Sequence, residues 1–362
     1  MNPASSLPAI FGAPAAFAWR AGLGPLHASG GPASGGGSLA LHYRHFGPGS
    51  PDKKNLWASF AHRASLSFTQ EFSGSFSPPP LNPIAFPPAE ETVSRAEWEA
   101  YCAKIERALN TGTLNKLVPA RAVFHALDPA LLTKLREELP ARLFAEPREG
   151  SYRFLLKQND SYFFGASPEL LFRREHGRIF VPAIAGTRAH GPGQETLEEA
   201  SRSLLASAKD RQEQALVTEG IAHSLRSLGL HPVHPAEPVI LTARNLVHLY
   251  TPIEAKDPGI AAEALIEALH PTPAVGGKPK AAALDFIGAH EPWPRGLFAS
   301  PLLFEGPEGQ ICIVAIRSGL LNSEGLHLFS GAGFVQGSTA AGEWEETSRK
   351  FDSLRDLLKE GR

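Results

Sequence analysis

The stretch that most constrains this chain is Phe329–Lys350, FSGAGFVQGSTAAGEWEETSRK. It begins apolar, crosses several glycines and turns into an acidic helix. Gly331 and Gly333 permit backbone shapes that other residues avoid, and they let a ligand come close to the main chain. Ser338 or Thr339 is placed to cap the helix. Along that helix Glu343, Glu346 and Lys350 follow three- and four-residue spacings, so they share one face. Trp344, Phe351, Leu354 and Leu358 fall mainly on another face, which predicts a helix seated on a core. Two carboxylates beside a glycine-built pocket suit a hard cation such as magnesium, which takes oxygen ligands. The same pattern also fits an exposed helix carrying a Glu–Lys pair.

Composition narrows the classes. With 362 residues, 43% hydrophobic and 20% charged, the chain has ample material for a globular core. Its length allows two domains or one large α/β domain. A formal net charge of −2 argues against nucleic acid or an anionic membrane as partner. Cys102 and Cys312, the only cysteines, are too few for a disulfide framework or a thiolate metal site and fit a reducing cytoplasm. No apolar run reaches membrane-spanning length. No basic segment followed by an apolar core opens the chain, so no secretory leader is expected.

Residues 1–90 carry no chemistry. They include a glycine/serine tract at 30–38, a strand-like alternation over 39–46, and a connector at 78–88 with six prolines. Their histidines have no metal-ligand spacing. Ser94 and Glu97 form a capping box for a helix whose apolar face is Trp98, Tyr101, Ile105 and Leu109 and which ends near Thr111–Gly112. Leu117–Ala126 reads as a strand with Lys116 at its mouth. A lysine there is either a solvated end or, in a partly desolvated pocket, a base. Tyr152–Phe164 and Gly165–Arg173 read as strands. Pro168 stiffens the backbone before Glu169, which is either a turn residue or a positioned carboxylate.

Ile179–Arg188 is expected to end a strand in a small-residue loop, where main-chain N–H groups near Ala185 and Gly186 and the Thr187 hydroxyl can meet an anion. Glu195–Leu228 reads as helical, with Glu213 beside an apolar face of Leu216, Val217 and Ile221. Val239–Tyr250 reads as one strand passing through Asn245 and His248. A short helix at Ala261–His270 runs into Pro271–Pro279, too rich in proline and glycine for a helix or strand interior. Another helix is expected over Lys280–Ala289. Ile311–Leu320 reads as a strand with Arg317 near its end, either a surface ion pair or a bidentate grip on a carboxylate. No GxGxxG, P-loop, GxSxG or HExxH pattern is present, and strands and helices do not alternate as βαβ units.

These pieces, in this order, resemble the chorismate-utilising enzymes: isochorismate, anthranilate, aminodeoxychorismate and salicylate synthases. The resemblance rests on NKLVPAR (115–121), ASPELL (166–171), PAIAGTR (182–188), DRQEQALV (210–217), NLVHL (245–249), LHPTPAVGGKP (269–279), EPWPRGLFASPL (291–302), AIRSG (315–319) and GAGFVQGS with GEWEETSRK (331–350). It implies an α/β (α+β) fold like anthranilate synthase component I, with antiparallel sheets packed face to face, helices outside and the site in a cleft. The catalytic core would be 91–362, and 1–90 a divergent part of the same fold.

LHPTPAVGG resembles isochorismate synthases in particular. Ala185 stands where aminodeoxychorismate synthases carry a nucleophilic lysine, so water is the implied nucleophile. The implied activity is magnesium-dependent conversion of chorismate to isochorismate, serving menaquinone or siderophore synthesis in a cytoplasmic monomer. Salicylate synthase and anthranilate synthase large subunit are the alternatives. Lys116 matches the base that activates water and Glu169 the acid that protonates the departing hydroxyl. Glu213 and Glu346, with Glu343, match magnesium ligands. Arg317 matches a carboxylate clamp. Gly331, Gly333 and Lys350 match an anion cradle, and Gly186, Thr187, His248 and Ala274 the ring pocket. Gln214 and Ser300 depart from the family's histidine and glycine.

Overall fold

The computed structural model describes residues 38–44, 46, 63–69, 81–144, 151–158, 160–243, 246–306 and 309–360. Most of the expected N-terminal glycine/serine tract and the prolines at 78–80 lie outside them. Eight strands form one antiparallel sheet: β1 (Ser38–Arg44), β2 (Arg63–Thr69), β8 (Leu170–Glu175), β9 (Arg178–Ala189), β10 (Val239–Ala243), β11 (Leu246–Lys256), β13 (Pro301–Gly306) and β14 (Gly309–Val314). Their order is β10-β11-β9-β8-β14-β13-β1-β2. Six more form a second sheet: β3 (Glu90–Glu91), β5 (Ala120–Ala126), β6 (Tyr152–Gln158), β7 (Ser161–Ser167), β15 (Ser318–Leu321) and β16 (Gly325–Gly331), in the order β3-β5-β16-β15-β7-β6. A two-residue ribbon pairs β4 (Lys116–Leu117) with β12 (Gly277–Lys278).

One core cluster draws on both sheets, with Ala120, Phe154 and Phe163 from the six-stranded sheet and Leu171, Ile179, Leu302 and Val314 from the other. Helices α1 (Arg95–Asn110), α2 (Pro129–Phe144), α3 (Leu197–Ala206), α4 (Ala208–Ser227), α5 (Ala262–Leu269), α6 (Lys280–His290) and α7 (Ala340–Glu360) complete the described elements. Leucines of α2, with Phe351, Leu354 and Leu358 of α7, cover the other face of the six-stranded sheet. Helices α3 and α4 pack on β9 and β11.

Helix starts follow local chemistry. Ser94/Glu97 and Thr196/Glu199 are complete capping boxes, and Thr339 accepts from the Gly342 N–H to start α7. Such a cap contributes about 1 kcal/mol, while each fully buried Leu or Phe contributes about 1.5–3 kcal/mol. Caps therefore set where the helices begin, and packing holds them.

Several single strands expected from sequence are broken in the structure, and the breaks matter. Pro119 cannot donate to a ladder, so 117–126 divides into β4 and β5. Expected strands at 152–164 and 165–173 are three, because the chain leaves the six-stranded sheet at Pro168–Glu169 and enters the other. The strand expected at 311–320 makes the reverse crossing through Arg317, whose φ is 49°. Val239–Tyr250 is a hairpin of β10 and β11, and 195–228 is two helices split at Ser207. The Pro271–Pro279 segment contributes β12 despite its composition. Leu216 is 57% exposed; the buried face of α4 runs through Asp210, Gln214, Thr218, Ala222 and Leu225.

Candidate active site

The two crossings between sheets run side by side. Val314 N–H donates to Glu169 O at 3.0 Å, Ala166 N–H to Arg317 O at 3.0 Å, and Glu169 N–H to Ser167 Oγ at 3.1 Å. Glu169 and Arg317 are thus held on adjacent backbones where neither sheet continues. At its open side β4 bridges Phe334, with Leu117 N–H to Phe334 O at 3.0 Å and the reverse bond at 2.7 Å. That bridge lays Gly333 against Lys116: a Cβ at residue 333 would stand 3.3 Å from Lys116 Cε and 3.6 Å from Nζ. On the other side Gly277 pairs with Leu117, and a Cβ there would fall 2.4 Å from the Lys116 carbonyl oxygen. Only glycine lets the ribbon close.

Burial lowers the Lys116 pKa, and Lys350 adds to this, while the charges of Glu213, Glu169 and Glu346 oppose it. Side chains from the β7–β8 crossing, α4 and α7 therefore act on the one amine that β4 carries. Burial raises the Glu169 pKa; the Thr272 hydroxyl, which donates to Oε1 at 2.9 Å, and Lys116 pull it back. Burial thus displaces the amine and the carboxyl in opposite directions, the tuning that an acid/base pair would need.

Arg317 presents an exposed surface yet sits within protein walls, and burial lowers its pKa without removing its charge. Among the described residues no carboxylate pairs with it. His248 stands close enough for the Arg317 charge to lower its pKa further, burial being the larger cause. The Thr187 hydroxyl and His248 Nδ1 are 2.9 Å apart. The small-residue loop expected at 185–188 is instead part of β9, which runs on to Ala189. Gly186, at φ 68°, is the extra residue of a bulge where the register shifts between His248 and Leu249. A bulge re-aims the neighbouring side chains, here Thr187 and His248.

Glu213 lies exposed on α4 next to buried Gln214, which donates to Ala183 O and Thr251 Oγ1, each at 2.9 Å. Gln214 thereby fastens α4 across β9 and β11. Lys350 donates to Glu346 Oε1 at 2.8 Å and Gly331 O at 2.9 Å. The Glu343 pKa is raised by burial, and the Glu346 charge raises it further. Among the described residues no three His, Cys, Asp or Glu side chains gather as a metal group. Lys350 holds Glu346, and Glu213 belongs to another helix. The donors nonetheless have the right chemistry, since magnesium commonly takes one or two carboxylates and completes its shell with water and substrate oxygens.

Sequence reasoning named Ala274 for the ring pocket. Ala274 is exposed, and its N–H donates to Thr272 Oγ1 at 3.3 Å. Thr272, which it overlooked, is the side chain that touches Glu169; the signal was the same proline-flanked motif. Also overlooked is a buried pair: Arg295 Nη2 donates to Glu291 Oε2 at 2.7 Å and to Val118 O at 2.6 Å, while Nη1 donates to Val275 O at 2.7 Å. It ties the 271–279 loop to the Lys116 segment. Both side chains are 2% exposed, and removing one partner of such a pair costs about 3–5 kcal/mol, so this is framework. Arg121, fully buried, plays the same part for α7: it donates to Thr347 Oγ1 at 2.8 Å and Ser348 Oγ at 2.6 Å, with its guanidinium 3.7 Å from the Trp344 ring centroid.

An amine and a carboxyl with oppositely displaced pKa values, a guanidinium with no carboxylate partner among the described residues and hard-oxygen donors suit a small anionic molecule. The chain belongs to the chorismate binding enzyme family, whose sequence profile matches residues 52–359. It is 36% identical over 267 residues to the salicylate biosynthesis isochorismate synthase of Pseudomonas aeruginosa, covering 73% of this chain and 55% of that protein. It is 33% identical over 305 residues to the isochorismate synthase EntC of Escherichia coli K12, covering 83% of this chain and 75% of that one. The chain thus spans about half to three quarters of these relatives' lengths. The structure of MenF, the menaquinone-specific isochorismate synthase from Escherichia coli, superposes with a TM-score of 0.66 at 24% identity, over 82% of this chain and 73% of that one. The expected fold is borne out. No helix among the described residues is long and apolar enough to cross a membrane.

Proposed function

We propose that the chain is an isochorismate synthase. The observation that carries this is that Lys116 and Glu169 act on each other's charge, with burial displacing their pKa values toward a neutral amine and a protonated carboxyl. Lys116 takes a proton from water as the water oxygen bonds to C2 of chorismate. Both ring double bonds shift, C1=C2 to C1=C6 and C5=C6 to C4=C5, the C4–oxygen bond breaks, and Glu169 delivers its proton to the leaving hydroxyl. One water is added and one released, so product and substrate are isomers. Arg317, with no carboxylate partner among the described residues, binds a substrate carboxylate in bidentate fashion. Thr187 and His248 line the ring pocket beside it. Ala185 offers no amine and sits within β9 opposite Leu249, which supports water as the nucleophile.

Glu213 and Glu346, with Glu343 beside them, would hold magnesium, as oxygen donors on two helices flanking Lys116. When bound, the ion supplies charge neutralisation at a substrate carboxylate. Glu346→Ala is expected to raise the magnesium concentration for half-maximal rate by at least about tenfold. A metal titration that superimposes on wild type removes Glu346 from the ligand set. Gly333→Ala, which crowds Lys116 Cε by a few tenths of an ångström and so shifts the amine it carries, is expected to lower kcat about tenfold, since small misplacements of a reacting group are costly. An unchanged kcat shows that Lys116 can give way.

The deciding assay incubates enzyme, chorismate and magnesium and resolves the products by chromatography. Isochorismate is the expected product. Stoichiometric pyruvate with salicylate would instead identify a salicylate synthase, and a fluorescent product that requires ammonium an anthranilate synthase.

A further inference from the structure

Thr272 is held from both sides by features that leave its hydroxyl little choice. Pro271 precedes it and Pro273 follows, and a residue before proline is confined to extended backbone. Its carbonyl accepts from Gly276 N–H at 2.9 Å, closing the loop on itself. Val118 N–H donates to Gly276 O at 2.9 Å, and Arg295 Nη1 grips Val275 O at 2.7 Å, so the loop is fastened to the segment that carries Lys116. The Ala274 N–H donates to Oγ1 at 3.3 Å, and the Thr272 hydroxyl donates to Glu169 Oε1 at 2.9 Å.

We propose that Thr272 is a positioning residue that fixes which oxygen of Glu169 carries the catalytic proton. A carboxyl oxygen that accepts the hydroxyl hydrogen bond takes the carbonyl role, so the acid proton resides on Oε2. Without this bond the proton can sit on either oxygen, and the carboxyl can turn. The inference rests on the acid role proposed above for Glu169. Lys116, from β4, is the charged group that bears on Glu169, and the substitutions below leave it in place.

Two variants separate orientation from packing. Thr272→Val keeps the shape and deletes the hydroxyl; Thr272→Ser keeps the hydroxyl. Thr272→Val is expected to lower kcat by about ten- to a hundredfold with KM for chorismate changed less than about threefold, because a misaligned acid slows chemistry without weakening binding. Thr272→Ser is expected to stay within about threefold of wild type. A Thr272→Val enzyme with wild-type kcat, or a Thr272→Ser enzyme as impaired as Thr272→Val, overturns the proposal.

A second measurement needs no turnover. The infrared carboxyl C=O band of Glu169, isolated by subtracting the Glu169→Gln spectrum, should move to higher frequency in Thr272→Val as the carbonyl loses its donor. An unmoved band, or no protonated-carboxyl band in wild type, sinks the assignment. A band that moves in an enzyme making no isochorismate leaves the hydroxyl assignment standing and rejects the functional reading instead.

Discussion

Replacing Lys116 by alanine is expected to lower kcat for chorismate consumption by about a thousandfold, within the range that general-base catalysis supplies. The structure gives this substitution little else to disturb. Leu117, not Lys116, packs in the core and bonds to Phe334, and the ribbon with β12 uses only the backbone of residue 116. Burial opposes the charge of the lysine, so losing the amine relieves a desolvation penalty. Circular dichroism and thermal melting should therefore match wild type while the rate collapses. A Lys116→Ala enzyme within tenfold of wild type would show that water needs no base from this residue, and the proposed chemistry would have to be abandoned.

Glu169→Gln is expected to be as severe, about a hundred- to ten-thousandfold in kcat, with KM nearly unchanged. The amide keeps the size of the carboxyl, and its oxygen can still accept from Thr272. What it lacks is an acidic proton for the leaving hydroxyl, and hydroxide is a poor leaving group. The Glu169 backbone bonds to Ser167 and Val314 are untouched by the change, so the two sheet crossings should hold. A variant that binds chorismate and turns it over at the wild-type rate would assign the acid elsewhere.

The pH profile follows from the same pair. On the proposed roles, Lys116 and Glu169 each feel the other's charge, so the limbs of the profile would belong to the pair and not to either residue. The productive state holds one proton between them, on the carboxyl, with the amine neutral. Below the lower limb the amine gains a proton and the base is lost. Above the upper limb the carboxyl loses its proton and the acid is lost. Burial lowers the lysine and raises the glutamate, so it favours the productive arrangement over the ion pair within that window. Rates for wild type should therefore be bell-shaped in pH, and Lys116→Ala should lose the acid limb.

Much of this was legible in the residues. The capping box at Ser94 and Glu97, the end of α1 at Thr111, and the two-faced helix beyond Thr339 are local events, governed by hydrogen bonds within a few residues, and they stand where the sequence puts them. The order of motifs was enough for the family and its paired sheets. Strand breaks were harder. Apolar runs such as 311–320 look continuous because both sheets bury their strands alike, and only Arg317 at positive φ betrays the crossing. Thr272 was hidden because its partner lies 103 residues away. The Glu291–Arg295 pair escaped because a four-residue ion-pair spacing looks the same on a surface as in a core.

The amino-acid sequence alone determined which groups this protein can bring to bear: an amine, a carboxyl, a guanidinium and oxygen donors, each on an element with a readable start. The tertiary structure decided what those groups become. A lysine or glutamate in water has an ordinary pKa; Lys116 and Glu169 depart from it because two sheet crossings and a glycine-lined ribbon remove water and place each within reach of the other's charge. Desolvation and Coulomb interaction depend on distances through space, and no spacing along the chain encodes them.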